Sequence, residues 1–170
     1  MVDYPAIRGA GLGVLSSMTG APFISTVIGS LDSKGRVCIP AAYRHILAAQ
    51  NTAGVYICPS FSEAALEAFG QTLLDSVSAR LANHDPFFSP THDDQATAVI
   101  ARTQLLVADE QGRVRLPDAM IAHAKLKDRV AFVGKAAKFQ IWDWDAYGPI
   151  EAEAVARMKA KLERAREDGT

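Results

Sequence analysis

The sequence predicts an α+β protein built from two tandem modules, each a set of short strands followed by a helix. Two observations carry that prediction. Residues Leu31 to Pro40 (LDSKGRVCIP) match Ala108 to Pro117 (ADEQGRVRLP), with Asp, Gly, Arg, Val and Pro recurring at one constant spacing of 77 positions. The surroundings repeat as well: an apolar run precedes each copy, a short helical stretch follows it, and a longer helix closes it. Self-similarity over such a distance marks a duplicated supersecondary unit. A hydrophobic content of 49% with 22% charged residues is that of a chain able to bury a core rather than of a disordered one.

Taken in order, residues 1–22 are rich in Gly and Ala and read as an N-terminal extension without ordered structure. The first module, residues 23–92, opens on the apolar run Phe23 to Ile28 and passes through the repeated box. A short helix is expected from Ala41 to Ala49 and a strand from Gly54 to Cys58. In its closing helix Ser62 is an N-cap, with Leu66, Phe69, Leu73, Leu74, Val77 and Leu81 on one apolar stripe. His84 to His92 reads as a loop, because Pro86 and Pro90 interrupt any periodicity. The second module, residues 93–170, starts with a helix from about Asp93 to Arg102 and the apolar run Gln104 to Val107. Beyond its box come a short helix, Asp118 to Ala124, and a hairpin of Arg129 to Gly134 with Lys138 to Trp142. A last helix starts near Asp143 or Asp145 and runs to about Arg166, with Val155, Met158, Leu162 and Ala165 as its buried side.

The repeated box has a physical logic. A carboxylate at Asp32 or Asp109 can close a turn on nearby backbone N–H groups. Gly35 and Gly112 supply the positive φ that a tight reversal requires. Alternation along the following strand sets Val37 and Ile39 on one face and Arg36 and Cys38 on the other. In the second copy Val114 and Leu116 face inward, which places Arg113 and Arg115 together on the outer face. Pro40 and Pro117 then end the strands and suit the start of a helix. Arginines held this way at a sheet rim can reach a phosphate or a guanine edge. Pairing of Arg36 with Asp32 and of Arg113 with Asp109 is the structural alternative, and spacing alone leaves both open.

At this motif the sequence resembles the MraZ regulators of the AbrB-like swapped-hairpin superfamily. Leu31 to Arg44 (LDSKGRVCIPAAYR) is similar to the family's first DXXXR box and the helix start behind it. Asp109 to Pro117 is similar to the second box, and Val130 to Asp143 (VAFVGKAAKFQIWD) carries the Gly-x-x-x-Lys-Phe-x-x-Trp pattern of the following strand pair. The match spans roughly residues 23 to 150. The resemblance implies two tandem swapped-hairpin AbrB-like β-barrel modules in pseudo-two-fold arrangement. It also implies a transcriptional regulator of the bacterial division and cell-wall gene cluster, assembled as a ring of identical subunits on promoter repeats of double-stranded DNA. Lys34, Arg36 and Arg113 are then DNA contacts, while Asp32, Gly35, Asp109 and Gly112 shape the turns. Arg44 and Arg115 join the candidates as basic residues near the same rim.

Charge is unevenly spread. The formal net charge of −1 excludes a uniformly basic nucleic-acid coat, yet residues 111–138 hold seven Lys or Arg against two Asp. Residues 62–94 hold one Arg against six acidic groups. The basic end of the last helix, from Arg157 to Arg166 with Glu151 and Glu153 at its front, is what the helix dipole favours. Cys38 and Cys58 have no partner at metal-ligand spacing and read as buried reduced thiols. With no signal peptide and no apolar run of membrane-spanning length, a cytoplasmic, nucleoid-associated location is expected. An enzyme would have to use His84, Asp85, His92, Asp93 and Asp94, which lack metal-ligand spacing and a Gly-rich phosphate cradle. His45 and His123 read as surface or interface groups. No enzyme activity, cofactor, metal or small-molecule substrate is expected. A non-DNA scaffold or antitoxin-like partner remains the alternative to the regulator.

Overall fold

The two boxes pair with each other. A computed structural model describes residues 20–167, so the N-terminal extension, up to residue 19, lies outside the described residues. Arg36–Cys38 (β2) runs antiparallel to Arg113–Arg115 (β6) in a two-stranded ribbon. Its register sets Val37 opposite Val114, its own counterpart in the other repeat, with Arg36 opposite Arg115 and Cys38 opposite Arg113. Ile39 N–H donates to the Gly112 carbonyl at 3.0 Å and Leu116 N–H to the Gly35 carbonyl at 2.8 Å. Each strand end is thereby tied to the turn of the other repeat.

The remaining strands form one six-stranded antiparallel sheet. They are Thr26–Ser30 (β1), Gly54–Pro59 (β3), Leu66–Phe69 (β4), Gln104–Val107 (β5), Arg129–Lys135 (β7) and Lys138–Asp143 (β8). Their order, β1-β7-β8-β4-β3-β5, reads the same from either edge once the repeats are exchanged. The opening strand of each repeat crosses over to pair in the other: β1 lies on β7, and β5 on β3. The central pair is β4 with β8. Lys135 pairs with Lys138, so the β7–β8 hairpin closes in two residues, with Ala136 at φ 62°.

Helices are short until the last: Ala41–Ala49 (α1), Gln71–Leu81 (α2), Pro90–Ala98 (α3), Asp118–His123 (α4) and Trp144–Glu167 (α5). Pro40 and Pro117 sit at the N-caps of α1 and α4, as the box spacing predicts. Pro90 occupies the first turn of α3, and the Ser89 hydroxyl accepts the His92 N–H at 3.2 Å. That helix therefore begins three residues earlier than expected and takes His92 out of the loop; a 3-10 turn, Ile100–Arg102, follows it.

The core lies between ribbon and sheet. Val37, Ile39, Val114 and Leu116 are each at most 1% exposed, and they pack with Val55, Ile57, Leu66, Phe132, Phe139 and Ile141. Burying each such side chain contributes about 1.5–3 kcal/mol, so the ribbon is anchored by its valine face. Tyr43 of α1 reaches the start of the chain, its hydroxyl 2.7 Å from the Ser25 carbonyl and 3.0 Å from that of Ile24. On the far face of the sheet Tyr147, Trp144 and Ile150 of α5 pack with Ala131, Val133 and Trp142. Asp143 holds the start of that helix, accepting the Ala146 N–H at 3.3 Å.

Three expectations are corrected. Leu66 to Phe69 is a strand, not the first turn of a helix capped by Ser62: Leu66 and Ala68 pair with Ile141 and Phe139 of β8. The helix starts only after Gly70, where a Cβ would run into Gln50. Pairing in the sheet centre overrides a helical spacing that Leu66, Phe69 and Leu73 share by coincidence. Val155, Met158 and Leu162 of α5 are not buried but about half exposed, because beyond Ile150 the helix leaves the sheet. Cys38 is exposed on the outer face of the ribbon, whereas Cys58 is buried; the alternation that buries Val37 turns Cys38 outward.

Candidate nucleic-acid interface

Each turn is built by one carboxylate. Asp32 Oδ1 accepts the N–H groups of Lys34 and Arg36, both at 2.9 Å. Its Oδ2 pairs with Arg36 Nε at 2.7 Å. The backbone closes the same loop, with Gly35 N–H donating to the Asp32 carbonyl and Asp32 N–H to the Arg36 carbonyl. In the second copy Asp109 Oδ1 accepts from Gln111 at 3.0 Å and from Arg113 at 2.9 Å, and Oδ2 pairs with Arg113 Nε at 2.8 Å. Gly35 and Gly112 have φ of 72° and 76°, the left-handed conformation that closes both reversals. The backbone N–H of Arg36, aided by the guanidinium, holds the Asp32 carboxyl below the ordinary value of 3.8, and Arg113 does the same for Asp109.

Both arginines form the aspartate pair that is the structural alternative, Arg36 with Asp32 and Arg113 with Asp109. The aspartate grips each guanidinium by Nε, which fixes its plane at about one-third exposure. Both Nη groups of Arg36 have no protein partner among the described residues, while Arg113 Nη2 also donates to Gln111 Oε1 at 3.0 Å. Pre-orienting a planar fork lowers the entropy lost when it meets an oxygen-bearing partner. Solvent screens ion pairs this exposed, so they add little to stability and act mainly to orient the side chains.

Directly opposed residues of an antiparallel pair share a face. The ribbon's outer surface therefore gathers Arg36, Arg115 and Arg113, with Cys38 as the fourth corner. Arg115 is exposed, and Lys34 is exposed at the tip of the first turn. Arg44 reaches across from α1: its Nε donates to the Ile39 carbonyl at 3.1 Å, and its side chain lies against Gly112. The equivalent place over Gly35 is taken by Ile121 of α4. All five basic candidates thus lie on the ribbon, its turns or the helix behind it. Two other cations of residues 111–138 are engaged elsewhere, Lys138 with Glu67 at 2.8 Å and Arg129 over the Trp144 ring at 5.4 Å. His123 Nε2 lies 3.2 Å from the Glu63 carbonyl, and Asp85 accepts the N–H groups of Phe87 and Phe88, which leaves those groups in local structural roles.

Missing from the sequence reading is the pairing of β2 with β6, which merges two boxes into one surface. Its only trace is the constant spacing of the two boxes, which lets Val37 face Val114. A two-stranded ribbon is narrow enough to enter a DNA major groove about 12 Å wide.

The family model for MraZ protein, antitoxin-like, matches residues 99–168. The transcriptional regulator MraZ of Xanthobacter autotrophicus is 39% identical over 137 residues, covering 81% of this chain and 87% of the relative. That of Gluconacetobacter diazotrophicus is 41% identical over 140 residues, covering 81% and 88%. The Rhizobium johnstonii regulator is 32% identical over 140 residues, covering 82% and 94%. With duplicated DXXXR turns and relatives of that name matched over most of both chains, this chain belongs to the MraZ family.

Proposed function

We propose that the protein is a sequence-specific regulator of transcription that binds double-stranded DNA through the β2–β6 ribbon. The observation that carries this reading is the shared outer face of Arg36, Arg113 and Arg115, two of them braced by aspartates and all three anchored from below by buried valines and leucines. Arg36 and Arg113 read base edges or phosphates, Lys34, Arg44 and Arg115 add phosphate contacts, and Asp32, Gly35, Asp109 and Gly112 keep the turns in shape. The fold is the AbrB-like swapped hairpin in duplicate, the first copy spanning residues 23–92 and the second 93–170. The targets are promoter repeats of the division and cell-wall gene cluster, in the cytoplasm at the nucleoid.

One ribbon offering a few phosphate contacts binds weakly and loses affinity steeply with salt. Copies joined in a ring grip adjacent operator boxes together, and effective concentration then raises avidity by on the order of 10²–10⁴. A gel shift on the DNA upstream of the protein's own gene tests the reading. Arg36→Ala should abolish the shift while gel filtration shows the assembly unchanged. Retention of operator affinity by that variant would remove Arg36 from the interface.

A further inference from the structure

The last helix carries a surface that no other described residue covers. Residues 151–167 of α5 are exposed apart from Ala160, yet Val155, Met158 and Leu162 are 49%, 56% and 51% exposed on one side of it. Their spacing of three and then four residues, continued by Ala165, is that of a seam made to pack on another helix. A stripe of this kind left in water is a docking surface in search of its partner.

Charge tells which partner. Lys159 and Lys161 flank the seam. Were α5 to pair with α5 of a second copy in antiparallel fashion, Lys159 would meet Lys159 and Lys161 would meet Lys161. In a parallel pair Lys161 would meet Arg166. Like charges at these positions oppose self-pairing and select an acidic counterpart.

The chain has one. From Gln71 to Ala98, the α2–α3 shoulder holds Arg80 against Asp75, Asp85, Asp93 and Asp94. Between its two helices lies a cleft of about 470 Å³ whose apolar lining includes Val77, Leu81 and Val99. Beside it Phe87 and Phe88 are 87% and 86% exposed. They are not loose: Asp85 Oδ1 accepts their backbone N–H groups at 2.8 and 2.9 Å, and Ser89 N–H donates to the Asp85 carbonyl. Two aromatic rings held out in water on a fixed loop have the character of interface anchors.

We propose that the basic seam of α5 docks on the acidic α2–α3 shoulder of a second copy of this chain, with Phe87 and Phe88 packing beside Met158 and Leu162. The two surfaces differ, so the contact is head-to-tail, the type that closes into a ring when the rotation between neighbours divides a full turn. This inference rests on the ring assembly proposed above and names the surfaces that make it.

Mixing two blocked chains tests it by light scattering behind gel filtration. One carries Met158→Asp with Leu162→Asp, the other Phe87→Asp with Phe88→Asp. All four sites are exposed, and far-UV circular dichroism of each variant is expected to match wild type. Each variant alone should run as a single chain. Their equimolar mixture should run as a two-chain complex, because one intact seam and one intact shoulder remain. Either variant keeping the wild-type size, or a mixture that stays single-chain, overturns the assignment. A second pair uses charge alone: Lys159→Glu with Lys161→Glu should weaken assembly at least about tenfold. Adding Asp93→Lys with Asp94→Lys to a partner chain should restore it, and absence of rescue counts against the shoulder. Wild type running as a single chain would sink the ring itself, a result distinct from a wild-type ring that the variants leave intact.

Discussion

The turn beginning at Asp32 and the turn beginning at Asp109 share each backbone hydrogen bond, a glycine at positive φ and an aspartate-to-arginine brace, but they carry different charge. At the tip, Ser33 and Lys34 of the first correspond to Glu110 and Gln111 of the second. On the strand, Cys38 stands where the second repeat has Arg115. Above the glycines the neighbours also differ, Ile121 over Gly35 and Arg44 over Gly112. The first turn thus has its extra cation at the tip, whereas the second has its extra cations behind, on the strand and on the crossing helix. Asp, Gly, Arg and Val are the residues the scaffold needs, and the other positions are free to redistribute charge without altering backbone geometry.

The largest effect that separates the turns lies in their arginines. On the proposed DNA face Arg113→Ala should cost about 1–3 kcal/mol of operator binding. The loss should be smaller than for Arg36→Ala, since Gln111 already shares the Arg113 fork. Titration of both variants at one salt concentration checks this, and equal losses would make the turns functionally identical. Next come the glycines. Gly35→Ala and Gly112→Ala should each destabilise the fold by about 1–2 kcal/mol through left-handed strain. Gly112 should lie at the upper end, because a Cβ there comes within 2.6 Å of Arg44 Cδ and Nε and displacing Arg44 breaks its bond to the Ile39 carbonyl, while at Gly35 the nearest atom is Ile121 Cδ1 at 3.2 Å. Urea midpoints of the two variants rank them.

Smaller shifts test the charge layout. Cys38→Arg supplies the missing fourth corner and should steepen the log–log salt dependence of binding by about one unit, while Lys34→Gln should flatten it by about one. A shared property comes last. Both aspartates have folded values below the ordinary 3.8, so their contribution is complete above that pH and is lost as pH falls through the lowered values. Denaturation midpoints followed below pH 4 should drop for wild type, and Asp32→Asn should reduce that drop by about as much as Asp109→Asn. Unequal reductions would show that the turns differ in structure as well as in charge.

Much of this was legible from the residues. Local chemistry sets the turns: a carboxylate, a glycine and alternating valines specify them within ten residues, and Pro40 and Pro117 mark the helix starts. The family of the chain followed from the same boxes. What periodicity could not convey was long-range. Leu66 to Phe69 is too short for alternation to outweigh a helical spacing, and its strand state depends on β8, more than 70 residues away. The crossing of β1 to β7 and of β5 to β3 leaves no local signature. The stripe of α5 reads as a core face because an apolar stripe has the same spacing whether or not its own chain covers it. For Cys38 the strand alternation, which sets it on the face of Arg36, is the better guide, and the general preference of free thiols for burial is not.

The direct opposition of Val37 and Val114 has a consequence for what the surface can recognise. A dimer of identical one-box polypeptides presents the same side chains twice and suits palindromic targets. Here the halves are joined covalently and meet in a register that sets each valine on its own counterpart, so mutation can alter one without altering the other. Lys34, Cys38 and Arg44 are already departures of that kind, and on the proposed DNA face they suit a single subunit to a non-palindromic target.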